Sequence, residues 1–416
     1  MRPLRLLTAG VAVLAAAAVA TPPASATTTH RPDGAPVDHH QWTFPRDFAG
    51  GRSDGLLPGP SGLRIGRPAG SVEHTEPELG TTRRYDYGTW TSAVHRPGFD
   101  ATQLVASWNA TTPAGTWLRV ELRGDGPNWF TLGRWALGDQ DIIRSSVPDQ
   151  SDDTGYVDVD TFVAAPGRPL RAYQLRVTLF RAAGTRVTPT LRTAGAMTSA
   201  IPDRFTVPAS TPSLGRAVEL PVPAYSQNVH IGQYPQYGGG GEAWCSPTST
   251  QMVVEYWGKR PSAEDLAWVD PTYADRSVDH AARSTYDHDY DGTGNWPFNT
   301  AYAASYGLSA HVTRLRSLTE LEAHIARGIP VVTSQSFRAD ELDGAGYGTA
   351  GHLMVVVGFT AEGDVIANDP ASPDNAAVRH VYKRAQFENI WLRTKRYTAS
   401  GAVASGSGGI AYVITR

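Results

Sequence analysis

From residue 83 to about 191, apolar positions recur in short runs that alternate with polar ones or are rich in β-branched and aromatic residues. The runs fall at 88–94, 103–108, 117–122, 129–136, 156–163, 171–180 and 187–191. In Tyr173-Gln174-Leu175-Arg176-Val177-Thr178-Leu179 alternate side chains are apolar, as in a strand with one wet face. Gly124-Asp125-Gly126-Pro127 and Ala182-Ala183-Gly184-Thr185 supply turns between runs. The pattern predicts an all-β antiparallel sandwich domain over 80–205. Before it, 27–79 is rich in Pro, Gly, Ser and His without a sustained period, and reads as a tail or linker with a little pairing around Trp42-Thr43-Phe44. After it, Val207-Pro208-Ala209-Ser210-Thr211-Pro212-Ser213 has no apolar period, which marks 206–217 as a linker. From 218 to 416 the texture changes to helical periods and nearly continuous apolar strands. Helices are expected after Cys245, over 299–306 and over 318–326; strands are expected at 329–334, 351–359 and 365–370.

Length and composition support this division. A chain of 416 residues exceeds the size at which single cores stop growing, and 42 Gly with 30 Pro suit a turn-rich β protein. A net charge of −3 and a pI near 6.5 exclude an electrostatic nucleic-acid binder, which needs a basic face. At the start, Arg2 and Arg5 precede an apolar run over 6–20, and Ala24-Ser25-Ala26 fits a small-residue cleavage site. The run is shorter than the roughly 20 residues a bilayer span requires, so 1–26 reads as a signal peptide and the protein is expected to be secreted, without membrane attachment after cleavage. The single cysteine, Cys245, excludes an intramolecular disulfide and a multi-thiolate zinc site. In an exported chain it is either a small buried hydrophobe or a thiol kept free for a reason.

Its position favours the second alternative. Gly238-Gly239-Gly240-Gly241-Glu242-Ala243-Trp244 leads to Cys245-Ser246-Pro247, with Ser246 a candidate N-cap, Pro247 suited to the first turn and Gly258 suited to the helix end. A helix N-terminus favours thiolate over thiol and offers N–H groups to a developing oxyanion. The glycines permit close approach of backbone or substrate at Gly241. Far downstream, Gly351-His352-Leu353-Met354-Val355-Val356-Val357-Gly358-Phe359 reads as a buried strand with a histidine at its head. Ala361-Glu362-Gly363-Asp364 turns into Val365-Ile366-Ala367-Asn368-Asp369-Pro370. If the turn centres between Ala361 and Glu362, paired residue numbers sum to 723; His352 then faces Ala371, with Asp369 its diagonal neighbour on the same face. An odd-length loop without a bulge would instead favour Asn368. A helix-terminal Cys with a His and an acid on one hairpin is the pattern of nucleophilic catalysis.

The order Cys245, His352, Asp369 resembles that of papain-like cysteine peptidases. More narrowly, Leu220-Pro221-Val222-Pro223-Ala224-Tyr225-Ser226-Gln227, Trp244-Cys245-Ser246-Pro247-Thr248-Ser249, Gly328-Ile329-Pro330-Val331-Val332, Gly351-His352-Leu353 and Asn368-Asp369-Pro370 resemble cysteine peptidase family 39. These are the bacteriocin-processing-type peptidases and their secreted, transporter-free relatives. The resemblance implies an α+β papain-like catalytic domain over 218–416, placed after the β-sandwich. It also implies a cysteine peptidase with Cys245 as nucleophile, His352 as general base and acid, Asp369 as orienting group and Gln227 as oxyanion donor, with no cofactor. Two departures stand out. Eighteen positions separate Gln227 from Cys245, more than the family's usual few, which leaves Gln233 and Gln236 as alternative donors; and the usual Cys-Gly-Pro is Cys-Ser-Pro. With no ABC-transporter helices or nucleotide-binding fingerprint, coupled export of a leader peptide is not implied.

Expected partners are peptide or cell-wall peptide substrates, with Gly241, Trp244 and Trp296 as substrate-side residues. A cell-wall amidase or acyltransferase using the same triad, or a non-catalytic binding protein retaining the fold, are the competing functions. Trp90, Trp108, Trp117, Trp129 and Trp135 are either sandwich core or a carbohydrate- or cell-wall-binding surface. Asp287, Asp289 and Asp291 open like a calcium loop, but its twelfth position is Phe298 rather than Glu, which favours a plain Gly/Asp turn. His39, His40 and His380 lack companions at metal-ligand spacing and read as surface residues.

Overall fold

The alternation around Val177 becomes the strand Gln174–Ala182 in the structure, a computed structural model that describes residues 36–416. The signal-peptide reading of 1–26 lies outside the described residues. Gln174–Ala182 sits between Thr81–Thr91 and Thr116–Arg123 in a six-stranded antiparallel sheet. An eight-stranded sheet is built around Gln103–Thr111 and Thr190–Ser199. Inward residues of the first sheet (Trp90, Val120, Val177) and of the second (Leu104, Trp108, Ala194) join one buried cluster. Trp90, Trp108 and Trp135 belong to this core, and Trp117 is buried in a separate cluster, stacked on Phe180 with ring centres 3.8 Å apart. Trp129 is half-buried, with the guanidinium groups of Arg176 and Arg123 lying 4.2 and 4.8 Å from its ring centre.

Two expectations for this half are corrected. Residues 37–76 are not a tail. Val37–Thr43 pairs along its whole length with Thr190–Ser199, and further strands occupy Arg52–Asp54, Leu56–Pro58, Leu63–Ile65 and Gly70–Glu76. Val37–Thr43 buries only Trp42 fully, and three-residue strands are too short to display a period, so neither leaves a pattern in the sequence. The run at 156–163 is also two strands, Gly155–Asp158 and Thr161–Ala164, folded into a hairpin.

The second half carries five helices: α1 (Cys245–Tyr256), α2 (Arg276–Thr285), α3 (Trp296–Ser305), α4 (Leu318–Ile325) and α5 (Arg384–Leu392). Its antiparallel sheet runs in the order Ser309–Arg314, Ile410–Thr415, Val331–Phe337, Thr349–Phe359, Val365–Asn368, Arg379–Tyr382, with Val218–Glu219 also pairing on Thr349–Phe359. Val355 pairs with Asn368 and Val356 with Ala367, the register expected from the sequence. It is reached differently. Phe359 pairs with Val365 and Gly358 with Ile366, a register one residue out of step, and an irregularity between Val356 and Gly358 restores the first. The extra residue keeps Asp369 on the side of the hairpin that carries His352. No helix among the described residues is long and apolar enough to cross a membrane.

The halves share a core rather than being joined only through 206–217. Phe298 of α3 packs 5.3 Å from Trp135 and 6.1 Å from Trp108, ring centre to ring centre. The outer strand Ser309–Arg314 is covered by side chains of the first half: Asn109 exchanges hydrogen bonds with the Ala310 backbone at 2.7 and 3.1 Å, and the Val312 N–H donates to Ser107 at 2.9 Å. This satisfies backbone groups that an edge strand would otherwise leave open. The 206–217 segment has almost no regular structure, yet it is strapped down. The Val207, Ser210 and Ser213 N–H groups donate to Asn389, Glu388 and Glu322 at 2.8, 2.7 and 2.6 Å.

Because Phe298 packs against both halves, Phe298→Ala is expected to lower the unfolding free energy by about 3–5 kcal/mol. Urea transitions of wild type followed by tryptophan fluorescence and by far-ultraviolet circular dichroism should coincide. Two separated transitions would contradict the shared core.

Candidate active site

The backbone before the cysteine is shaped by its glycines. Gly238, Gly239 and Gly240 take φ of 70°, 97° and 115°, a region that residues with side chains rarely enter. A Cβ on Gly241 would lie 2.3 Å from the His230 carbonyl carbon and 2.5 Å from the Gln227 oxygen. The short turn Gly241–Ala243 therefore rests directly against the turn Gln227–His230. Helix α1 starts at Cys245 itself and has no side-chain cap, which corrects the reading of Ser246 as N-cap. Ser246 lies inside the first turn, buried, where its hydroxyl pairs with the Tyr412 hydroxyl at 3.0 Å. The serine that departs from Cys-Gly-Pro thus has a specific partner.

Across from the thiol, His352 is buried at the head of its strand. Its Nε2 is 2.8 Å from Asp369 Oδ1, and its other face is turned to Cys245. Asp369 is 1% exposed and takes three further donors: Tyr382 Oη on Oδ2 at 2.7 Å, Tyr347 Oη on Oδ2 at 2.9 Å and the Ala371 N–H on Oδ1 at 3.0 Å. Burial opposes ionisation of Asp369, but the His352 charge and these donors outweigh it and lower its pKa to about 2. Burial likewise opposes protonation of His352, yet Asp369 and then Cys245 raise its pKa to about 10. The Cys245 thiol is disfavoured as an anion by burial, and is brought below its ordinary value by His352 and by the backbone of Leu353 and Ser246. All three shifts favour a thiolate–imidazolium pair backed by a carboxylate, the form a sulfur nucleophile needs.

The remaining sequence-predicted residues divide. Gln227 is buried; its Nε2 donates to Glu242 O at 2.8 Å and its N–H to Pro370 O at 2.8 Å, so it bridges the segment before Cys245 and the segment after Asp369. Gln233 is taken up within its own turn by His230 Nδ1 and Val229 O, and Gln236 is exposed. Trp244 does not face a substrate. It is fully buried, packed with Val278 and Ala282, and its Nε1 donates to Tyr237 O at 2.7 Å. Gly241 is also buried, and its role is the close turn-to-turn packing described above. Trp296 is half-buried as the first residue of α3.

Neither Tyr347 nor Tyr382 stands out in the sequence as a site residue. Tyr382 belongs to the strand after Asp369, where Val365 pairs with it, and that pairing was the only available signal. The acidic loop is a turn: the Asp287 N–H bonds to Gly292 O at 2.8 Å. The Asp287 carboxylate is occupied by Ser146 and by Asn295 Nδ2, the latter at 2.8 Å. Among the described residues no group of three or more His, Cys, Asp or Glu side chains is placed to hold a metal ion. His39 is not a surface residue; it stacks on His311 with ring centres 4.0 Å apart.

Residues 219–399 match the model of the Peptidase_C39 like family, and residues 38–199 match that of the Peptidase C39 N-terminal domain. The chain is thus a relative of the C39 peptidases, a family that indicates cysteine peptidase-like function. No curated protein matches the sequence. Among solved structures, a protein described as a C39-like peptidase from Bacillus anthracis is 18% identical with a TM-score of 0.31, the match covering 48% of this chain and 98% of that one.

Because the thiol pKa is lowered by His352 and the neighbouring backbone, Cys245 is expected to keep its reactivity to lower pH than a free cysteine, losing it as pH falls through that lowered value. Removing the imidazole takes away the main influence that offsets burial, leaving only the backbone of Leu353 and Ser246, and moves the thiol pKa upward. In His352→Ala the rate of iodoacetamide labelling at pH 7 is therefore expected to fall about tenfold or more. An unchanged rate would show that His352 does not set the thiol's state.

Proposed function

We propose that the protein is a secreted cysteine peptidase that cleaves peptide amide bonds through Cys245, His352 and Asp369. The observation that carries the reading is the buried 2.8 Å His352–Asp369 contact facing a thiol at a helix N-terminus. The Cys245 sulfur attacks the scissile carbonyl. The oxyanion is met by the Cys245 N–H and by the Gln227 amide, whose Glu242 contact uses one of its two N–H groups. The imidazolium gives its proton to the departing amine as the C–N bond breaks, leaving a thioester. His352 then takes a proton from water, which attacks the thioester and releases the carboxylic acid and the thiol. Asp369, fixed by both tyrosines, holds the imidazole with one nitrogen toward the sulfur throughout.

Membership among C39 relatives supports peptide substrates, and the apolar run over 6–20 with its small-residue site supports export. Cys245→Ala is expected to lower peptide hydrolysis by about a thousandfold or more with an unchanged circular dichroism spectrum. Assaying a peptide library beside purified peptidoglycan identifies the bond cleaved. Turnover of peptidoglycan cross-links alone would replace the peptidase reading with that of a cell-wall amidase, and full activity of Cys245→Ala would end both.

A further inference from the structure

The first half of the chain is tied, through hydrogen bonds to the loop 287–296, to the segment just ahead of Cys245. Ser146 donates from its N–H and its hydroxyl to Asp287 Oδ1 at 2.9 and 3.1 Å, and Asn295 Nδ2 donates to Asp287 Oδ2 at 2.8 Å. Asn295 in turn caps α3, its Oδ1 accepting from the Phe298 N–H at 3.1 Å. Next to it, the Trp296 N–H donates to Asp160 Oδ2 at 2.8 Å. The far end of this loop fastens the segment that leads to the cysteine: Thr293 Oγ1 donates to Ala243 O at 3.1 Å. The loop also sits so close to the glycine-rich turn that a Cβ on Gly238 would come within 3.2 Å of Gly292 Cα. Ser146, Asp160, Asp287, Asn295 and Thr293 are all buried.

The hairpin that delivers Asp160 is backbone-strained. Val159, between Asp158 and Asp160, has φ of 53°, a conformation costly for a β-branched residue and kept only where surrounding contacts impose it. The neighbourhood is also electrostatically continuous with the thiol. The Tyr290 phenol is raised first by burial and then by the charges of Asp160 and Cys245.

We infer that Ser146 and Asp160 of the first half are positioning residues for Cys245, acting through the 287–296 loop that clasps the segment ahead of the nucleophile. The inference rests on reading Cys245 as a nucleophile. It gives the first half a role in the reaction itself, since the clasp sets the angle at which Gly241–Ala243 delivers the thiol to His352. The two carboxylates of the clasp each use at least one oxygen to receive a donor from the opposite half of the chain, so neither half completes it alone.

The test uses the full chain carrying Ser146→Ala, Asp160→Ala or Asp160→Asn, with Asn109→Ser as a control that weakens the contact between halves at the Ser309–Arg314 strand. Second-order rates of iodoacetamide labelling of Cys245, and kcat and KM for a peptide substrate, are measured well below each variant's Tm. Asp160→Ala and Ser146→Ala are expected to lower labelling and kcat about tenfold with KM changed less than about twofold, the pattern of a displaced reacting group. Asp160→Asn, whose amide oxygen still accepts from the Trp296 N–H, should recover most of the loss, and Asn109→Ser should lower Tm without slowing labelling. Wild-type rates in Asp160→Ala and Ser146→Ala, or an equal loss in Asn109→Ser, would overturn the inference. A wild-type thiol no more reactive than free cysteine would instead overturn the nucleophile reading beneath it.

Discussion

A carboxylate removed from water survives as an anion only if enough donors replace the water, and Asp369 is held that way by an imidazole, two phenols and a backbone N–H. Much of the site's chemistry depends on this one group. Its charge raises His352, and the imidazolium in turn draws the Cys245 proton away from a thiol that burial alone would keep neutral. Tyr382 comes from the neighbouring strand and Tyr347 from the loop before the histidine strand, so the carboxylate ties together elements that local pairing alone would not bring into one site.

The scaffold meets the same demand at longer range. Gln227 spans the segment before Cys245 and the segment after Asp369 through backbone partners on each. The sheet's outermost strand is closed by Asn109 and Ser107, and its core continues through Phe298 into the tryptophans of the first half. The first half is therefore packed as a wall of the second. The interface is rich in buried polar groups, Asp287 and Asp160 among them, which are costly to bury and so favour one specific arrangement over approximate association.

The parts of the site legible in the sequence are those governed by local periodicity. His352 and Asp369 lie on one hairpin, and the period-two rule places them together once the register is known, although the loop expected at its centre is offset and the irregularity at Val357 restores the phase. The helix after Cys245 and the strands Gln103–Thr111, Thr116–Arg123, Phe130–Trp135 and Gln174–Ala182 follow from the same kind of pattern. Tyr347 and the Ser146–Asp287 link were invisible because their partners are 22 and 141 residues away with no periodic relation. Trp244 reads in the sequence as a substrate wall because it stands beside Cys245, whereas the turn before it directs the indole into the interior. The strands between 37 and 76 were lost because they are short, polar or only half-buried, and leave no apolar stripe.

The whole arrangement turns on Asp369 keeping His352 protonated beside the thiol. Nuclear magnetic resonance titration of the His352 ring, assigned against a His352→Gln variant, tests this directly. The expected outcome is an imidazolium that persists through neutral pH and gives up its proton only near pH 10. A ring that titrates near its ordinary value of 6.5, with the thiol still protonated at neutral pH, would contradict it.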